Sequence, residues 1–243
     1  MSGPRIDLSG AAAAADGAPP RFLDVRFDAA RRPVRCSGCT VVAPLAPADR
    51  APFAAVRAAA EAAGVAEFWA WLPPSSYHMT LFDLLLHDRR DPMLRPADLP
   101  ADAPPEAADS FALGRMAGER AHAPPPWRMR VLGLEASARS AACVAAALEP
   151  RDAAENARMR AMRDRWADAT GLRHRPGHDA YVFHVTLAYL VRWPEGPALA
   201  AAERALGEAS EALVAETPEL NLHAAEVCVF DYMTEFRPRF VLA

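Results

Sequence analysis

Two short segments of the chain have almost the same pattern of residue types. Residues 77–81 read Tyr-His-Met-Thr-Leu, and residues 183–187 read Phe-His-Val-Thr-Leu. In an extended strand the side chains at positions i and i+2 point to the same face. Each histidine and the threonine two positions later are therefore predicted to share one face of a strand. Two such strands facing each other would place two imidazoles and two hydroxyls around one cleft.

The four polar residues of these segments, His78, Thr80, His184 and Thr186, suit acid–base chemistry on a phosphate ester. Histidine titrates near neutrality, so one imidazole can accept a proton from water while the other donates a proton to the leaving oxygen. The threonine hydroxyls can donate to the non-bridging oxygens as charge develops on them. A single His-x-Thr triplet would be interpreted as a packed histidine. Because only roughly 0.2 such triplets are expected by chance, the presence of two favours a catalytic pair.

Composition and charge limit the classes of partner. The chain has 243 residues and a formal net charge of −4, and its 27 basic residues are all arginine. A negative net charge argues against a protein that coats itself non-specifically with nucleic acid, although a local basic cleft is compatible with it. No stretch reaches the length of a membrane span. We therefore expect a cytoplasmic monomer without a membrane partner.

The N-terminal segment and the cysteines carry weaker information. Residues 1–20 lack the basic start and apolar core of a secretory signal, and we expect them to be a disordered leader to a single domain over residues 21–243. Four cysteines are too few for a disulfide-built scaffold. Cys36 and Cys39 have the spacing of half a zinc site or of a redox pair, but convincing further ligands do not occur nearby. We interpret them as ordinary packed thiols.

The elements that must position the two motifs follow from hydrophobic periodicity and from proline and glycine punctuation. Strands are predicted over residues 39–45, 67–72, 127–135, 141–149, 221–230 and 235–242, in addition to the two motif strands. Helices are predicted over residues 48–63, 109–120, 151–169 and 197–215, and residues 88–107 are predicted to form a long surface loop. The first half has the order strand, helix, motif strand, and the second half has helix, motif strand, helix and further strands, which suggests a duplicated lobe with one motif in each half.

The sequence around both motifs resembles that of the two-histidine (2H) phosphoesterases. The similar segments are residues 72–83 (Leu-Pro-Pro-Ser-Ser-Tyr-His-Met-Thr-Leu-Phe-Asp) and 177–189 (Gly-His-Asp-Ala-Tyr-Val-Phe-His-Val-Thr-Leu-Ala-Tyr). This superfamily includes the RNA 2′,3′-cyclic phosphodiesterases, also known as 2′-5′ RNA ligase-like proteins, and the chain looks like an uncharacterised domain-of-unknown-function branch of it. The resemblance implies an α+β, bilobal fold in which two antiparallel sheets form a central cleft and helices pack outside. By position it also implies that the two histidines are the acid–base pair and the two threonines are donors to phosphate oxygens.

Two tyrosines and two arginines near the motifs are secondary candidates for substrate binding: Tyr77, Tyr181, Arg35 and Arg173. The tyrosines could stack a base or contact phosphate, although strand tyrosines usually pack. The arginines, and Arg175 with them, could steer an anion, although an exposed arginine often only solvates a surface.

We therefore expect a metal-independent phosphoesterase that needs no cofactor. Its expected substrate is a cyclic phosphodiester, either a small cyclic nucleotide or an RNA end with a 2′,3′-cyclic phosphate or a 2′-5′ linkage. Two alternatives stay open. One is a nucleotide- or RNA-binding module of the same fold without turnover. The other is a metal-dependent phosphohydrolase that uses the two histidines with Asp83 or Asp179.

Overall fold

The computed structural model describes residues 3–87, 96, 98–100, 102–120, 124–175 and 177–242. The α-helices of this part are α1 (Leu8–Ala15), α2 (Arg50–Ala62), α3 (Pro105–Ala117), α4 (Ala153–Thr170) and α5 (Pro197–Glu216). Its strands are β1 (Gly38–Pro44), β2 (Trp69–Trp71), β3 (His78–Leu86), β4 (Trp127–Glu135), β5 (Val144–Pro150), β6 (His184–Leu190), β7 (Glu219–Leu222), β8 (Ala225–Tyr232) and β9 (Glu235–Leu242). The predicted elements are present with boundaries that move by a few residues. The structure adds α1 and the short strand β7 to them.

The described strands form a curled antiparallel sheet that consists of two halves. One half has the order β7-β4-β5-β6, with β2 also paired to β6, and the other has the order β3-β1-β8-β9. The halves meet at the centre, where Met79 of β3 pairs with Val185 of β6. The predicted α+β fold of two antiparallel sheets around a cleft, with helices packed outside, is confirmed. The two sheets are continuous through this central pair.

The two halves follow the same plan. The units β1–α2–β3 and β5–α4–β6 each run from a strand through a helix into an antiparallel neighbour that carries a motif, and the first unit has the short strand β2 between its helix and its motif strand. Both motif strands also contain an extra residue directly after the motif threonine. Leu81 in β3 and Leu187 in β6 are skipped by the pairing register of their strands, as in a β-bulge. The shared order and the shared bulge position support the duplicated-lobe hypothesis.

The face of the motif strands that points away from the cleft is packed into the hydrophobic core. Its residues are fully buried: Met79, Leu81, Val185 and Leu187. Helix α2 contributes Phe53, Val56 and Ala60 to the core, and α4 contributes Met159, Met162 and Trp166, as their periodicity predicts. Burying one large apolar side chain stabilises the fold by about 1.5–3 kcal/mol. A register slip of one residue would reverse the faces of a strand, so this packing holds the histidines on the cleft side.

The N-terminal segment is ordered from Gly3 onward, which corrects the expected disordered leader. Asp7 caps α1 by accepting a hydrogen bond from the Gly10 amide, and Leu8 is fully buried in the core. Glu203 of α5 accepts hydrogen bonds from the Leu8 and Ser9 amides, both at 3.0 Å. The alanine run has too little amphipathic pattern to predict that α1 packs on the rest of the protein. The packing depends on contacts with α5, which is distant in sequence. The assignment of residues 21–243 to a single domain stays a prediction.

The predicted surface loop over residues 88–107 lies partly outside the described residues, which omit 88–95, 97 and 101. The end of that range belongs to α3, which begins at Pro105 because proline suits the first turn of a helix. In the described part of the chain, no helix combines the length and apolar character needed to cross a bilayer.

Candidate active site

A cleft between the two halves brings the four motif residues together. His78 and Thr80 reach it from β3, and His184 and Thr186 reach it from β6. The cleft has a volume of ≈ 310 Å³, at the small end of the range of about 300–1,000 Å³ for small-molecule sites. This size suits a compact group such as one phosphate ester.

The pair that joins β3 to β6 fixes how the motif residues face each other. In an antiparallel ladder, the position before one member of a pair lies opposite the position after the other. His78 therefore comes opposite Thr186, and Thr80 comes opposite His184. The two histidines become diagonal neighbours, which are about 7–8 Å apart on one face of a regular sheet. This spacing leaves room for a phosphate between the imidazoles.

Both imidazoles are held in the same tautomer by the main chain. Nδ1 of His78 lies 2.7 Å from the carbonyl oxygen of Ser76, and Nδ1 of His184 lies 2.9 Å from that of Val182. A carbonyl only accepts hydrogen bonds, so Nδ1 carries the proton in both rings. In each ring Nε2 is then the nitrogen that exchanges a proton. The two contacts occur at the same sequence offset, two residues before the histidine.

The surroundings of His78 favour its neutral form. The ring of Phe236 packs edge-on against the imidazole, with the ring centres 4.2 Å apart. Burial lowers the pKa of His78 to about 4, and the charge of His184 acts in the same direction, whereas the hydrogen bond to Ser76 opposes it. At neutral pH His78 is therefore an uncharged imidazole that can accept a proton.

The two bulges bring further polar side chains to the cleft. Strict alternation from His78 and from His184 would turn Phe82 and Ala188 toward it. Because one residue is skipped after each threonine, Asp83 and Tyr189 line the cleft instead. They occupy equivalent positions, five residues after the histidine of their strand. At this position β3 therefore presents a carboxylate to the cleft, whereas β6 presents a phenol.

Tyr181 lies at the cleft, and Tyr77 does not. The hydroxyl of Tyr181 donates to the carbonyl oxygen of Thr80 at 3.3 Å, and the Arg163 guanidinium lies 3.8 Å from the centre of its ring. Burial raises the pKa of Tyr181. Tyr77 is only 1% exposed and packs in the core. The structure therefore corrects the expectation that Tyr77 stacks a base, whereas contact of Tyr181 with substrate stays a prediction.

The two arginines proposed to bind an anion are paired with carboxylates outside the lining of the cleft, which corrects both assignments. Arg35 is an exposed residue that lies 3.3 Å from Asp231. Arg173 lies 2.6 Å from Asp164 and 2.7 Å from Asp168 at the C-terminal end of α4. Both are in surface ion pairs, of a kind that contributes little to stability.

Arg175, two residues further along, does line the cleft. Its Nη2 donates to the Leu84 carbonyl at 3.0 Å, and its Nη1 donates to the Asp83 carbonyl. The guanidinium is thereby fixed to β3, although the residue precedes β6. Its charge adds to the positive potential that an anionic substrate would meet.

Potential metal ligands converge elsewhere in the described part of the chain. Asp164, His178 and Asp179 place one ligand atom each within 4.8 Å of one another, and Nε2 of His178 lies 2.8 Å from Asp164. Asp179 therefore belongs to this group and not to the cleft lining, which corrects its suggested role beside the two motif histidines. Asp83 remains the carboxylate of the metal-dependent alternative that does line the cleft.

The residues that line the cleft without being predicted from the sequence include Arg26, Tyr189 and Phe236. Strict alternation along β6 does not reveal the bulge after Thr186, so it does not predict Tyr189 on the cleft face. Arg26 and Phe236 come from segments far from either motif, and only tertiary folding brings them to the site. The cleft thus brings together two imidazoles, two hydroxyls and two guanidiniums, groups of the kinds that can exchange protons and bind an anion.

Comparison with known proteins identifies a family and a solved structure that resemble the chain. Residues 26–140 match the family model 2H-phosphodiest, described as Domain of unknown function (DUF1868), a range that includes the first motif. A crystal structure of a conserved protein of unknown function from Agrobacterium tumefaciens is 30% identical, with a TM-score of 0.84. That similarity covers 97% of this chain and 98% of the other. None of the curated proteins matches the chain.

Proposed function

Since the chain belongs to the 2H phosphoesterase superfamily, in the branch described as a domain of unknown function, we propose that it hydrolyses a cyclic phosphodiester without a metal ion. Family membership supports a phosphoesterase-type function. The proposed substrates are small 2′,3′-cyclic nucleotides or RNA-like ends with a 2′,3′-cyclic phosphate or a 2′-5′ linkage. One observation carries the proposal: both histidines line one cleft, and each has its Nδ1 committed to a main-chain carbonyl.

In the proposed reaction His78 is the general base. Its Nε2 takes a proton from a water molecule as the water oxygen forms a bond to phosphorus. The low pKa of about 4 keeps this nitrogen available at neutral pH. The Nδ1–H bond to the Ser76 carbonyl stabilises the imidazolium that forms, because a carbonyl oxygen bonds more strongly to a charged donor.

His184 is the proposed general acid. In this role His184 carries a proton on both ring nitrogens, and its Nε2–H gives a proton to the ring oxygen of the cyclic ester as the bond from that oxygen to phosphorus breaks. One P–O bond forms and one breaks. Water loses a proton to His78, the leaving oxygen gains one from His184, and proton exchange with solvent restores both histidines before the next turnover. The diagonal placement of the two histidines suits this division, because the attacking and leaving oxygens lie on opposite sides of phosphorus.

The threonines and Arg175 would act on the non-bridging oxygens. By extension of the register of the Met79–Val185 pair, Thr80 comes opposite His184 and Thr186 opposite His78, so each hydroxyl would border the space between the imidazoles. Negative charge increases on these oxygens in the transition state, where preorganised donors stabilise it most. Arg175 contributes a fixed positive charge from its anchorage on β3.

An activity screen with purified full-length protein tests the proposal. The substrates are 2′,3′-cyclic nucleotides, ADP-ribose cyclic phosphate and 2′-5′-linked dinucleotides, each with and without EDTA. We expect hydrolysis of at least one cyclic phosphodiester at an unchanged rate in EDTA. Loss of the activity in EDTA and its recovery with a divalent cation would support the metal-dependent alternative. Tight binding without turnover across the panel would support the binding module.

A further inference from the structure

Arg26 has a buried nitrogen without a hydrogen-bond partner at the proposed active site. Its side chain lines the cleft together with both His-x-Thr motifs. Within the described residues, Nη1 of Arg26 is shielded from solvent and finds no acceptor. A buried donor is nearly always hydrogen-bonded in a folded protein, because an unsatisfied one costs free energy. An orphaned guanidinium nitrogen at a cleft therefore indicates an acceptor that a ligand supplies.

The segment that carries Arg26 is fixed against the motif strand β6. The rings of Phe22 and Phe27 both contact Tyr189, with ring centres 5.3 and 5.6 Å apart. Phe27 is only 2% exposed. The Arg26 amide donates to the Phe22 carbonyl, and the Val34 amide donates to the Arg26 carbonyl, both at 2.9 Å. These contacts hold the backbone of Arg26 on the β6 side of the cleft before any ligand binds.

The contacts that this guanidinium makes with the described residues do not account for its placement. Its carbon lies 6.0 Å from the centre of the Phe22 ring, which is the outer limit of about 6 Å for a cation–π contact. The neighbouring Arg21 lies closer to the same ring, at 5.5 Å, from an exposed position. The Arg26 guanidinium therefore faces the cleft as a cationic group with N–H donors to spare.

We propose that Arg26 binds a non-bridging phosphate oxygen of the substrate, and so is a substrate-binding residue supplied by the N-terminal segment. The inference rests on the proposed function for the identity of the substrate as a phosphate ester. The planar guanidinium suits this role because its N–H groups match the spacing of phosphate oxygens.

The position of Arg26 complements that of Arg175. Arg26 precedes both duplicated units, β1–α2–β3 and β5–α4–β6, and its segment packs on the second of them through the contact of Phe27 with Tyr189. Arg175 is anchored on β3 of the first unit. The cleft therefore has one guanidinium on each side, and Arg26 would hold a non-bridging oxygen on the β6 side.

Binding of inorganic phosphate to the full chain, followed by ³¹P NMR titration, tests the assignment without requiring turnover. The variants are Arg26→Gln, which removes the charge, and Arg26→Lys, which keeps it without the planar fork. Arg32→Gln is the matched control, because Arg32 is in the same segment but is an exposed residue paired with Asp28 at 2.8 Å. Urea unfolding of each variant checks that the segment remains folded.

We expect Arg26→Gln to weaken phosphate binding about 10- to 100-fold, the loss typical of one hydrogen bond to a charged group. Arg26→Lys should recover part of the loss, and Arg32→Gln should bind as the unmodified protein does. Acetate, a carboxylate probe, should displace phosphate poorly in all of them. Phosphate binding by Arg26→Gln at the original affinity would overturn the inference, as would the absence of phosphate binding in the unmodified protein.

The same variants separate this inference from the proposed function. If the protein hydrolyses a cyclic phosphodiester and Arg26→Gln retains the full kcat/KM, the role of Arg26 is refuted and the enzyme assignment stands. If no substrate is hydrolysed but phosphate binding depends on Arg26, the assignment of Arg26 stands and the hydrolytic function fails. A rise in KM larger than the fall in kcat is the expected signature of a substrate-binding residue.

Discussion

Replacing His78 with asparagine should change how the stability of the protein depends on pH. Asparagine does not titrate, and its amide can still donate to the Ser76 carbonyl, which accepts from Nδ1 of His78 at 2.7 Å. The substitution thus removes the proton-binding site while keeping the main-chain contact. Any difference in pH dependence between the two proteins then reports on His78 alone, because the other titrating groups are common to both.

The sign and size of the effect follow from the two pKa values of His78. The pKa is about 4 in the folded protein and about 6.5 in an unfolded chain. Above pH 6.5 both states hold a neutral ring, so the residue contributes nothing to the pH dependence. Between pH 6.5 and 4 the unfolded chain binds a proton that the folded protein does not, which destabilises the fold. At 1.36 kcal/mol for each pH unit the loss reaches about 3 kcal/mol by pH 4.

Urea unfolding at a series of pH values between 7.5 and about 4 measures the difference. We expect the free energy of unfolding of His78→Asn to rise relative to that of the unmodified protein by about 3 kcal/mol over this range. The control is His174→Asn, which removes a histidine that the structure places on the surface. Parallel curves for the unmodified protein and His78→Asn would refute a lowered pKa for His78. Such a result would also remove the reason for assigning His78 as the general base, which is its lowered pKa.

Two further predictions concern the phosphate-oxygen donors and the N-terminal helix. Thr80→Val and Thr186→Val, which keep the side-chain shape, should each lower kcat roughly 10²-fold in steady-state assays; rates equal to that of the unmodified protein would exclude a role for the hydroxyls. Leu8→Ala should reduce the free energy of unfolding by about 2–5 kcal/mol, because Leu8 is fully buried in the core. An unchanged urea midpoint for Leu8→Ala would show that α1 is not docked in solution.

Local periodicity was sufficient to predict the central part of the site. His78 and Thr80 share a face because strand side chains alternate, and His184 and Thr186 do so for the same reason. The same rule places Tyr77 on the opposite face, where the structure buries it. A contact between Tyr77 and the substrate is therefore inconsistent with the same alternation that predicts the cleft.

Alternation predicts the neighbours of the motifs only as far as the first irregularity. The extra residues Leu81 and Leu187 reverse the phase of both strands and bring Asp83 and Tyr189 to the cleft. A bulge of this kind depends on how a strand pairs with its neighbour, so the sequence of one strand does not reveal it.

Residues from distant segments could not be predicted at all. Arg26 reaches the cleft because Phe22 and Phe27 pack on Tyr189 of β6, a strand in the second half of the chain. Phe236 reaches His78 from β9 through sheet pairing with β8. In both cases the contact is set by tertiary packing, and the local sequence shows neither a motif nor a characteristic period.

The most direct test of the proposed acid–base pair is the rate at which the His78→Ala and His184→Ala variants hydrolyse 2′,3′-cyclic AMP, or the best substrate of the screen. His174→Ala, a substitution of an exposed histidine, is the control. If the two motif histidines are the base and the acid, each of their variants should lose about 10²- to 10⁴-fold in kcat while remaining folded, and the control should keep its rate. Full activity in either motif variant would contradict the proposed acid–base pair.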